Sequence, residues 1–390
     1  MKQILPKLEE INKHLIFAKK AFTKNGFRHV VHYINGLITL NKKTVKKISQ
    51  ASIEENHHSA ISRILTEAKF EQELLEKRYL KKIAYFAKGQ EISLIFDDTL
   101  AEHDGHCIEE TQSHYDHSSN DFIRGHQFFT SMIHTAIFQL PLFPQLYSKN
   151  TDSKIEMARD LVDYVLQFMP LHSVVFDSWY SDKKLIKKCM TQKVKVVCAI
   201  KANRTFSMEK GKWKLLSDFL KTLSTRKMEN FFIDEKKYKI LSLVAKLNGI
   251  PHVRIIISKE WNEKDKKWGD FFYLISTNVQ DTPVEIIRHY KIRWSIETYH
   301  FDIKQNLGFA KAFFRKKEGI VRHAIFSTIA YAILKLFMFC RGLVMTIGEC
   351  CGYIQDNGMD DFVLEIVEIE DKSERMEYFE KVFIRKTAKV

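Results

Sequence analysis

The sequence predicts an α/β fold, because apolar runs of strand length alternate with segments that have helical period. In the middle of the chain, a strand-like run at residues 172–181 is followed by a helical segment and then by a second strand-like run at 193–201. Such strand–helix–strand alternation is typical of a parallel sheet covered by helices. The chain has 390 residues, 45% of them hydrophobic, which is enough for a folded protein of two or three domains.

The charge balance favours a polyanionic partner. Lys and Arg number 62 against 48 Asp and Glu, which gives a formal net charge of +14. Nucleic acid is the first partner class that such an excess suggests, and acidic membrane surfaces are the second.

The cysteines and the N-terminus indicate a cytoplasmic protein. None of the six cysteines forms a C-x-x-C pair, which favours a reducing compartment without a disulfide framework. The first ten residues, MKQILPKLEE, lack the apolar core of a signal peptide. The most apolar segment, residues 323–348, is interrupted by Lys335 and Arg341. We therefore predict one or two buried core helices there, and no membrane partner.

Residues 1–90 predict a helical, mostly polar N-terminal domain that binds DNA. Within it, residues 41–65 outline two helices joined by a short turn, with Thr44 as the cap of the first helix. One side of the second helix carries Ile61, Ile64 and Leu65. This is the outline of a helix-turn-helix, whose second helix enters the major groove of DNA. Helical hairpins without a DNA-binding role share the pattern, so it leaves both interpretations open.

From residue 91 the pattern changes to strands, and we assign residues 91–202 to the first part of the α/β core. The run EISLIFDDT at 91–99 is apolar until it ends in two aspartates, and residues 124–138 continue the strand pattern with Phe, Ile and Thr. Residues 154–169 then have helical period.

Residues 203–262 predict a β-rich insertion, in which charged turns join the runs ENFFIDEKKYKILSLVAKL and HVRIIISKEW as antiparallel strands. A buried strand at 270–278 returns to the core, whose second part we place at residues 263–345. Residues 346–390 are polar and acidic in patches, which predicts a small helical tail.

A predicted helix, YKIRWSIETYHFDIK at residues 290–304, concentrates polar side chains on one face. Its start is marked by DTPVE, with Thr282 as N-cap and Glu285 closing a capping box. At about 100° per residue, a face about 60° wide holds Tyr290, Arg293, Glu297 and Lys304. A second stripe faces the core and holds Ile292, Ile296, Tyr299, Ile303 and Leu307. The simplest explanation of the polar face is solvation with an Arg293–Glu297 ion pair, because these residues are four apart.

Acidic residues lie where the predicted strands end. Asp97 and Asp98 end one apolar strand, and Asp177 ends another. Glu297 projects from the helix that follows a third buried strand. Three converging carboxylates at the carboxyl ends of strands suit Mg²⁺ or Mn²⁺, and two such ions about 4 Å apart can cleave a phosphodiester. Taken alone, each aspartate is equally compatible with a strand-end cap or a turn.

Together these residues resemble the DDE transposases of bacterial insertion sequences, in the branch with a Y-x2-R-x3-E-x6-K signature. That spacing is fitted without a gap by Tyr290, Arg293, Glu297 and Lys304. The stretch FDDT resembles the first family motif and favours Asp97 over Asp98 as the catalytic aspartate. The stretch FDSWYS resembles the second motif and selects Asp177. The resemblance covers about residues 41–336 and includes the β-rich insertion.

The resemblance implies an RNase H-like catalytic core. Its metal ligands and catalytic residues would be Asp97, Asp177 and Glu297, which would hold Mg²⁺ or Mn²⁺, with two ions expected. It also implies a homodimer in a paired-end complex, for which the tail at residues 346–390 is a candidate dimerisation element.

The same resemblance assigns DNA-binding roles. Phosphates of the transposon end would be held by Tyr290, Arg293 and Lys304, and the chemistry is suitable, because Arg offers a bidentate fork, Lys a point charge and Tyr a hydroxyl. In the family, a tryptophan of the insertion region can stack on a flipped base. The candidates here are Trp213, Trp261 and Trp268. We favour Trp268, because the charged turn NEKDKKWGD places it at a hairpin tip.

Residues 102–117 form a loop with four histidines. A zinc site there would draw on His103, His106, Cys107, His114 and His117. The spacing matches no standard zinc pattern, so we expect a DNA-contacting or plain surface loop. Phosphate-loop, serine-hydrolase and zinc-protease motifs do not occur in the sequence.

The expected function is a DNA transposase of the bacterial cytoplasm. It would bind the terminal inverted repeats of its element as double-stranded DNA, cleave the ends by metal-dependent hydrolysis and join the 3′-hydroxyls to target DNA. One alternative is another RNase H-like nuclease of the resolvase or repair type, which needs the acidic triad but not the Tyr–Arg–Lys set. A second alternative is an inactive domesticated copy that acts as a DNA-binding repressor, although all three acidic positions are intact.

Overall fold

One broad sheet forms the centre of the molecule. A computed structural model describes residues 8–52, 57–103, 105, 107–116, 120–311 and 314–379. Within this part of the chain, fourteen strands join in one sheet, and they are β1 (Ser93–Glu102), β2 (Gln112–Asp116), β3 (Asp121–His134), β4 (Gln139–Pro141), β5 (Gln145–Tyr147), β6 (Ser173–Phe176), β7 (Lys195–Ala199), β8 (Thr205–Ser207), β9 (Lys214–Leu215), β10 (Glu229–Ile233), β11 (Lys236–Leu247), β12 (Ile250–Asn262), β13 (Lys267–Trp268) and β14 (Phe272–Ser276).

Helices precede, interrupt and follow the strands. The α-helices of the described residues are α1 (Glu9–Asn12), α2 (Lys24–Thr39), α3 (Val45–Ala51), α4 (His58–Thr66), α5 (Gln72–Phe86), α6 (Lys154–Leu166), α7 (Lys183–Thr191), α8 (Leu216–Thr222), α9 (Pro283–Lys291), α10 (Trp294–Gln305), α11 (Lys317–Arg341), α12 (Ile347–Val367) and α13 (Lys372–Phe379). Short 3-10 helices cover Lys13–Ala21 and Thr225–Lys227.

The predicted aspartates lie on β1 and directly after the end of β6, which are neighbours in the sheet. Strand β1 is antiparallel to β3 and parallel to β6, which is in turn parallel to β7. Helix α7 connects β6 to β7, so the strand–helix–strand unit that the sequence predicts is present. The mixed α/β fold class is therefore confirmed, with a large and mostly open sheet.

The β-rich segment predicted at residues 203–262 extends this sheet. Strands β11 and β12 form a long antiparallel hairpin, and β10 pairs with β11. Strand β14 joins the two regions, because it pairs with β7 on one side and with β12 on the other. Backbone hydrogen bonds therefore attach the insertion to the core along a full strand.

The N-terminal helices pack against the long helix α11. The Tyr33 hydroxyl of α2 hydrogen-bonds His323 Nδ1 of α11 at 2.7 Å, and both side chains are buried. The helical pair predicted at residues 41–65 is present as α3 and α4, and Thr44 caps α3 through the Lys47 amide. The buried face of α4 carries the predicted Ile61, Ile64 and Leu65. Residues 53–56, between the two helices, lie outside the described residues.

Helix α11 is the apolar segment that the sequence predicts to be a core helix. It is long and apolar enough to cross a membrane by length and composition, but 83% of its apolar window is buried inside the protein. Its start lies beside Glu109, whose carboxylate accepts a hydrogen bond from the Lys317 amide at 2.9 Å.

The predicted helix at residues 290–304 is wrong as one continuous element. Helix α9 starts at the predicted capping box, with the Thr282 hydroxyl and the Glu285 carboxylate bonded reciprocally, but it ends at Lys291. Helix α10 begins three residues later, at Trp294. Between them the amide of Arg293 bonds to the carbonyl of Tyr290, a tight i to i−3 turn that interrupts the α-helical ladder. The apolar stripe of α10 is buried as predicted.

Candidate active site

The register of the sheet brings Asp97 and Asp177 to the same edge. Strands β1 and β6 are parallel, and Ile95 lies opposite Val175. Asp97 and Asp177 are each two residues farther along, so they lie level with each other at about one strand spacing, roughly 4.8 Å. Because side chains alternate along a strand, Asp98 points to the opposite face of β1.

Asp97 is mostly buried and bonded at both carboxylate oxygens. Its Oδ1 accepts from the Asp98 amide at 2.8 Å, and its Oδ2 accepts from Arg293 Nη1 at 2.9 Å. Burial and the neighbouring charge of Asp177 raise the pKa of Asp97 to about 7, although the Arg293 guanidinium opposes this rise. The raised pKa of Asp97 therefore reflects the proximity of the two carboxylates at one edge of the sheet.

Asp177 begins the tight turn that follows β6. Its Oδ1 accepts from the backbone amides of Trp179 at 2.9 Å and Tyr180 at 3.3 Å. Burial raises the pKa of the Asp177 carboxyl above its usual range, although these amide bonds and the charge of Arg293 oppose the rise. Among the described residues these bonds involve Oδ1 alone, which leaves Oδ2 for a ligand.

Arg293 links Glu297 to this pair of aspartates. Its guanidinium donates from Nη1 to Asp97 and from Nη2 to Glu297 Oε1. The contact of Arg293 with DNA phosphates stays a prediction, and the contacts that the structure shows are with two carboxylates. The ion pair between residues four apart, which the sequence also allowed, is part of this bridge. Arg293 Nε is buried without an acceptor in the described part of the chain.

Asp98 belongs to a different network on the other face of β1. Its carboxylate accepts from Lys154 Nζ at 2.9 Å, from the Tyr180 hydroxyl at 3.2 Å and from the side-chain amide of Gln127. Lys154 is also held over the Trp179 ring, with Nζ 4.2 Å from the ring centroid. Through these contacts Asp98 joins β1 to β3 and α6.

The other signature residues lie along α9 and α10. Tyr290 is half-buried, and the Arg293 guanidinium lies 5.8 Å from its ring centroid. Farther along, His300 Nε2 hydrogen-bonds the Thr130 hydroxyl, which donates to the carbonyl of Asp97 at 3.0 Å. Burial and then the charge of Lys304 lower the pKa of His300 to about 3. The His300–Thr130 contact fixes α10 against β1, so Glu297 keeps its position relative to Asp97.

Trp268, which the sequence favours for base stacking, differs in its surroundings from two tryptophans that lie near the carboxylates. Trp268 packs edge-on against Trp261, with 5.3 Å between ring centroids, and Lys239 lies over its other side at 4.9 Å. Trp268 therefore lies on β13, just after the turn of the β12–β13 hairpin, with one ring edge against Trp261. Trp294, beside Arg293, is 63% exposed, and Trp179, two residues after Asp177, is 40% exposed. Neither is among the base-stacking candidates named from the sequence, although each lies within a motif quoted there.

The histidine-rich loop does not assemble a metal site in the described residues. His103 and His126 have ring centroids 4.8 Å apart, and His126 Nε2 bonds to the Glu109 carbonyl at 2.8 Å. His114 is buried on β2. His106 and His117 lie outside the described residues, whereas Cys107 is exposed.

The carboxylates suit a divalent cation by their chemistry. Asp97 and Asp177 raise each other's cost of ionisation, and a cation between them would relieve that repulsion. Carboxylate oxygens are the ligands that Mg²⁺ and Mn²⁺ prefer. Across the described residues, no group of three or more His, Cys, Asp or Glu side chains is already close enough to hold a metal ion. Glu297 instead reaches the aspartates through Arg293.

Comparison with known proteins places the chain in a family. Residues 19–211 match a family model described as DDE superfamily endonuclease. Residues 147–346, more than half of the chain, match one described as archaeal putative transposase ISC1217. No curated protein matches the chain. Among solved structures, it is similar to piggyBac transposase in a synaptic complex with hairpin DNA, with 10% identity, a TM-score of 0.45 and coverage of 97% of this chain and 83% of that chain.

The raised pKa of Asp97 predicts a specific pH dependence of stability without divalent ions. The folded state keeps the Asp97 proton up to a pH of about 7, whereas the unfolded chain loses it near 4. Stability therefore falls as pH rises between these values, by at most about 1.4 kcal/mol per pH unit. Asp97→Asn lacks this titration. Denaturant unfolding in EDTA from pH 5 to 8 should show wild type losing free energy of unfolding relative to Asp97→Asn; a constant difference would contradict the assignment.

Proposed function

Because this chain belongs to the family described as archaeal putative transposase ISC1217 and is a DDE-type transposase, we propose that it cuts DNA with Asp97, Asp177 and Glu297 as its catalytic carboxylates. The observation that carries the proposal is the Arg293 bridge. One guanidinium joins the carboxylates of β1 and α10, and Asp177 of β6 lies level with Asp97. Acidic side chains from three separate elements thus lie near one guanidinium, which supports the proposal.

The two aspartates and Glu297 would hold Mg²⁺ or Mn²⁺, and two ions would suit three carboxylates. A bound ion supplies Lewis acidity, which activates water and neutralises charge on the reacting phosphate. The protein's own contribution is to fix the ligands. Backbone amides of the turn after β6 orient Asp177, and the His300–Thr130 contact holds the helix of Glu297 against β1.

Arg293 would have two partners in turn. In the structure it pairs with Asp97 and Glu297. Once a cation takes over that role, the guanidinium is available to bind a DNA phosphate, for which its planar fork is well shaped. The unpaired Nε donor supports this, because a phosphate oxygen would satisfy it.

The remaining signature residues would extend the phosphate contacts. Tyr290 packs beside Arg293 on one side of the site, and Lys304 continues along α10 on the other. The exposed indole of Trp294 lies where it can stack on an unpaired base, a role that we place here in preference to Trp268. Together these groups would bind the cleaved end and hold the scissile phosphate in line.

The wider function follows from the same assignments. The terminal inverted repeats would be bound as double-stranded DNA, with α4 as the candidate major-groove helix, and the formal charge of +14 supports a nucleic-acid partner. Joining the freed 3′-hydroxyls to target DNA would require a homodimer that pairs both ends. We further propose an RNase H-like core, membership of the branch with the Tyr–Arg–Glu–Lys signature and a cytoplasmic location.

Substitution of the two adjacent aspartates, Asp97 and Asp98, distinguishes a role in cleavage from a role in stability. Asp97→Asn should abolish Mg²⁺-dependent cleavage of DNA that borders the gene of this chain, while the protein stays folded. Asp98→Asn should lower the free energy of unfolding by roughly 1–3 kcal/mol, because Lys154 loses its charged partner. Cleavage per folded molecule should survive in Asp98→Asn. Gel assays of cleavage beside denaturant titrations check both variants, and the reverse pattern would move the catalytic role to Asp98.

Arg293→Ala tests the second role of the guanidinium. Loss of a phosphate contact should lower affinity for pre-cleaved end DNA and reduce the slope of log affinity against log salt by roughly one. Arg288→Ala is a matched control, because Arg288 lies on α9 and pairs with Asp234 instead. Anisotropy titrations over a range of salt measure both slopes. If Arg293→Ala keeps the wild-type slope, its only partners are the two carboxylates.

A further inference from the structure

A polar cavity of about 270 Å³ lies beside the carboxylate edge of the sheet, between α7 and the turn that joins β11 to β12. Its volume is roughly that of nine water molecules, at about 30 Å³ each. The polar side chains that line it are Ser181, Lys183, Asn203, Arg204, Thr205 and Asn248. None of them belongs to the carboxylate site.

The cavity is one strand away from Asp177. Phe176 of β6 lies opposite Cys198 of β7, so Asp177 is level with Ala199, and the next residue, Ile200, lines the cavity. Arg204 Nη2 donates to the Ser181 hydroxyl at 3.0 Å and to its carbonyl, which ties the cavity wall to the turn that starts at Asp177. Neighbouring strands are about 4.8 Å apart, and successive base pairs rise about 3.4 Å. The cavity and Asp177 are therefore separated by the length of only a few nucleotides.

In the described part of the chain, both cations of the cavity lack an acidic partner. Within the described residues, no carboxylate pairs with Lys183 or Arg204, whereas Lys188 on the same helix is paired with Asp163. Gly249 has φ +78° and no Cβ, and the Lys183 side chain occupies the space that a Cβ would need. The turn between β11 and β12 therefore lies directly against the Lys183 side chain, and no carboxylate of the described residues neutralises it.

We propose that this cavity binds a backbone phosphate of the DNA strand that runs past Asp177. Lys183 would supply a point charge to the phosphate. Arg204 would donate the guanidinium N–H groups that do not bond to Ser181. The side-chain amides of Asn203 and Asn248 would add neutral N–H donors. The inference rests on the proposed function, since it assumes that DNA lies over the carboxylates. Contacts of this kind position DNA without reading its sequence.

Lys183→Ala, compared with Lys187→Ala, tests the cavity. Both lysines are exposed and lie one turn apart on α7, but only Lys183 lines the cavity. One lost phosphate contact changes the salt slope by about 0.9, so between 50 and 200 mM salt wild type should lose about threefold to fourfold more affinity than Lys183→Ala. Lys187→Ala and the charge-conserving Lys183→Arg should keep the wild-type slope. The probe is duplex DNA with a single-stranded end, measured by anisotropy.

The outcomes separate this inference from the proposed function. Equal slopes for Lys183→Ala and Lys187→Ala, whether both fall or neither does, would overturn the cavity as a phosphate site. A reduced slope for Lys183→Ala alone would support it, even if the wild type failed to cleave; that failure would count against the carboxylate chemistry only. Absence of DNA binding by the wild type would overturn both.

Discussion

The site depends on one ionic interaction, the guanidinium of Arg293 between Asp97 and Glu297. The sheet places Asp97 level with Asp177, and burial makes both carboxylates harder to ionise. Such a concentration of negative charge at a sheet edge needs a counter-charge to remain folded and ionised. Arg293 supplies it from the turn between α9 and α10, and a divalent cation of higher charge density would take the same electrostatic role.

Backbone register sets the positions that this interaction uses. Asp97 and Asp177 are fixed by a parallel strand pair, and α10 is held on β1 through His300 and Thr130. The insertion is also connected to the signature helix. Asp234, in the turn between β10 and β11, accepts from Arg288 Nε and Lys291 Nζ of α9 at 3.0 Å each. These two ion pairs connect the insertion to α9, the helix that ends just before Arg293.

Much of this arrangement could be predicted from local pattern. Period-two alternation, the capping box at Thr282 and the apolar stripe of α10 all follow from short-range physics, and the structure has them. The choice between Asp97 and Asp98 could not be made from residues alone, because alternation says that they face opposite ways but not which face holds the site. The turn at Arg293 was missed, since its sequence continues the helical period. The cavity at Lys183 depends on how the insertion pairs with the core, which no local pattern contains.

The proposed chemistry requires that Glu297 completes a metal site with Asp97 and Asp177 from other elements. Its most direct test is Mg²⁺-dependent cleavage of end DNA by Glu297→Gln, which keeps the shape of the side chain and removes its charge. The cleavage rate of Glu297→Gln should fall roughly a hundredfold or more, and its binding to end DNA should be retained. Normal cleavage by Glu297→Gln in Mg²⁺ would contradict it and would reduce the Arg293–Glu297 contact to an ordinary ion pair.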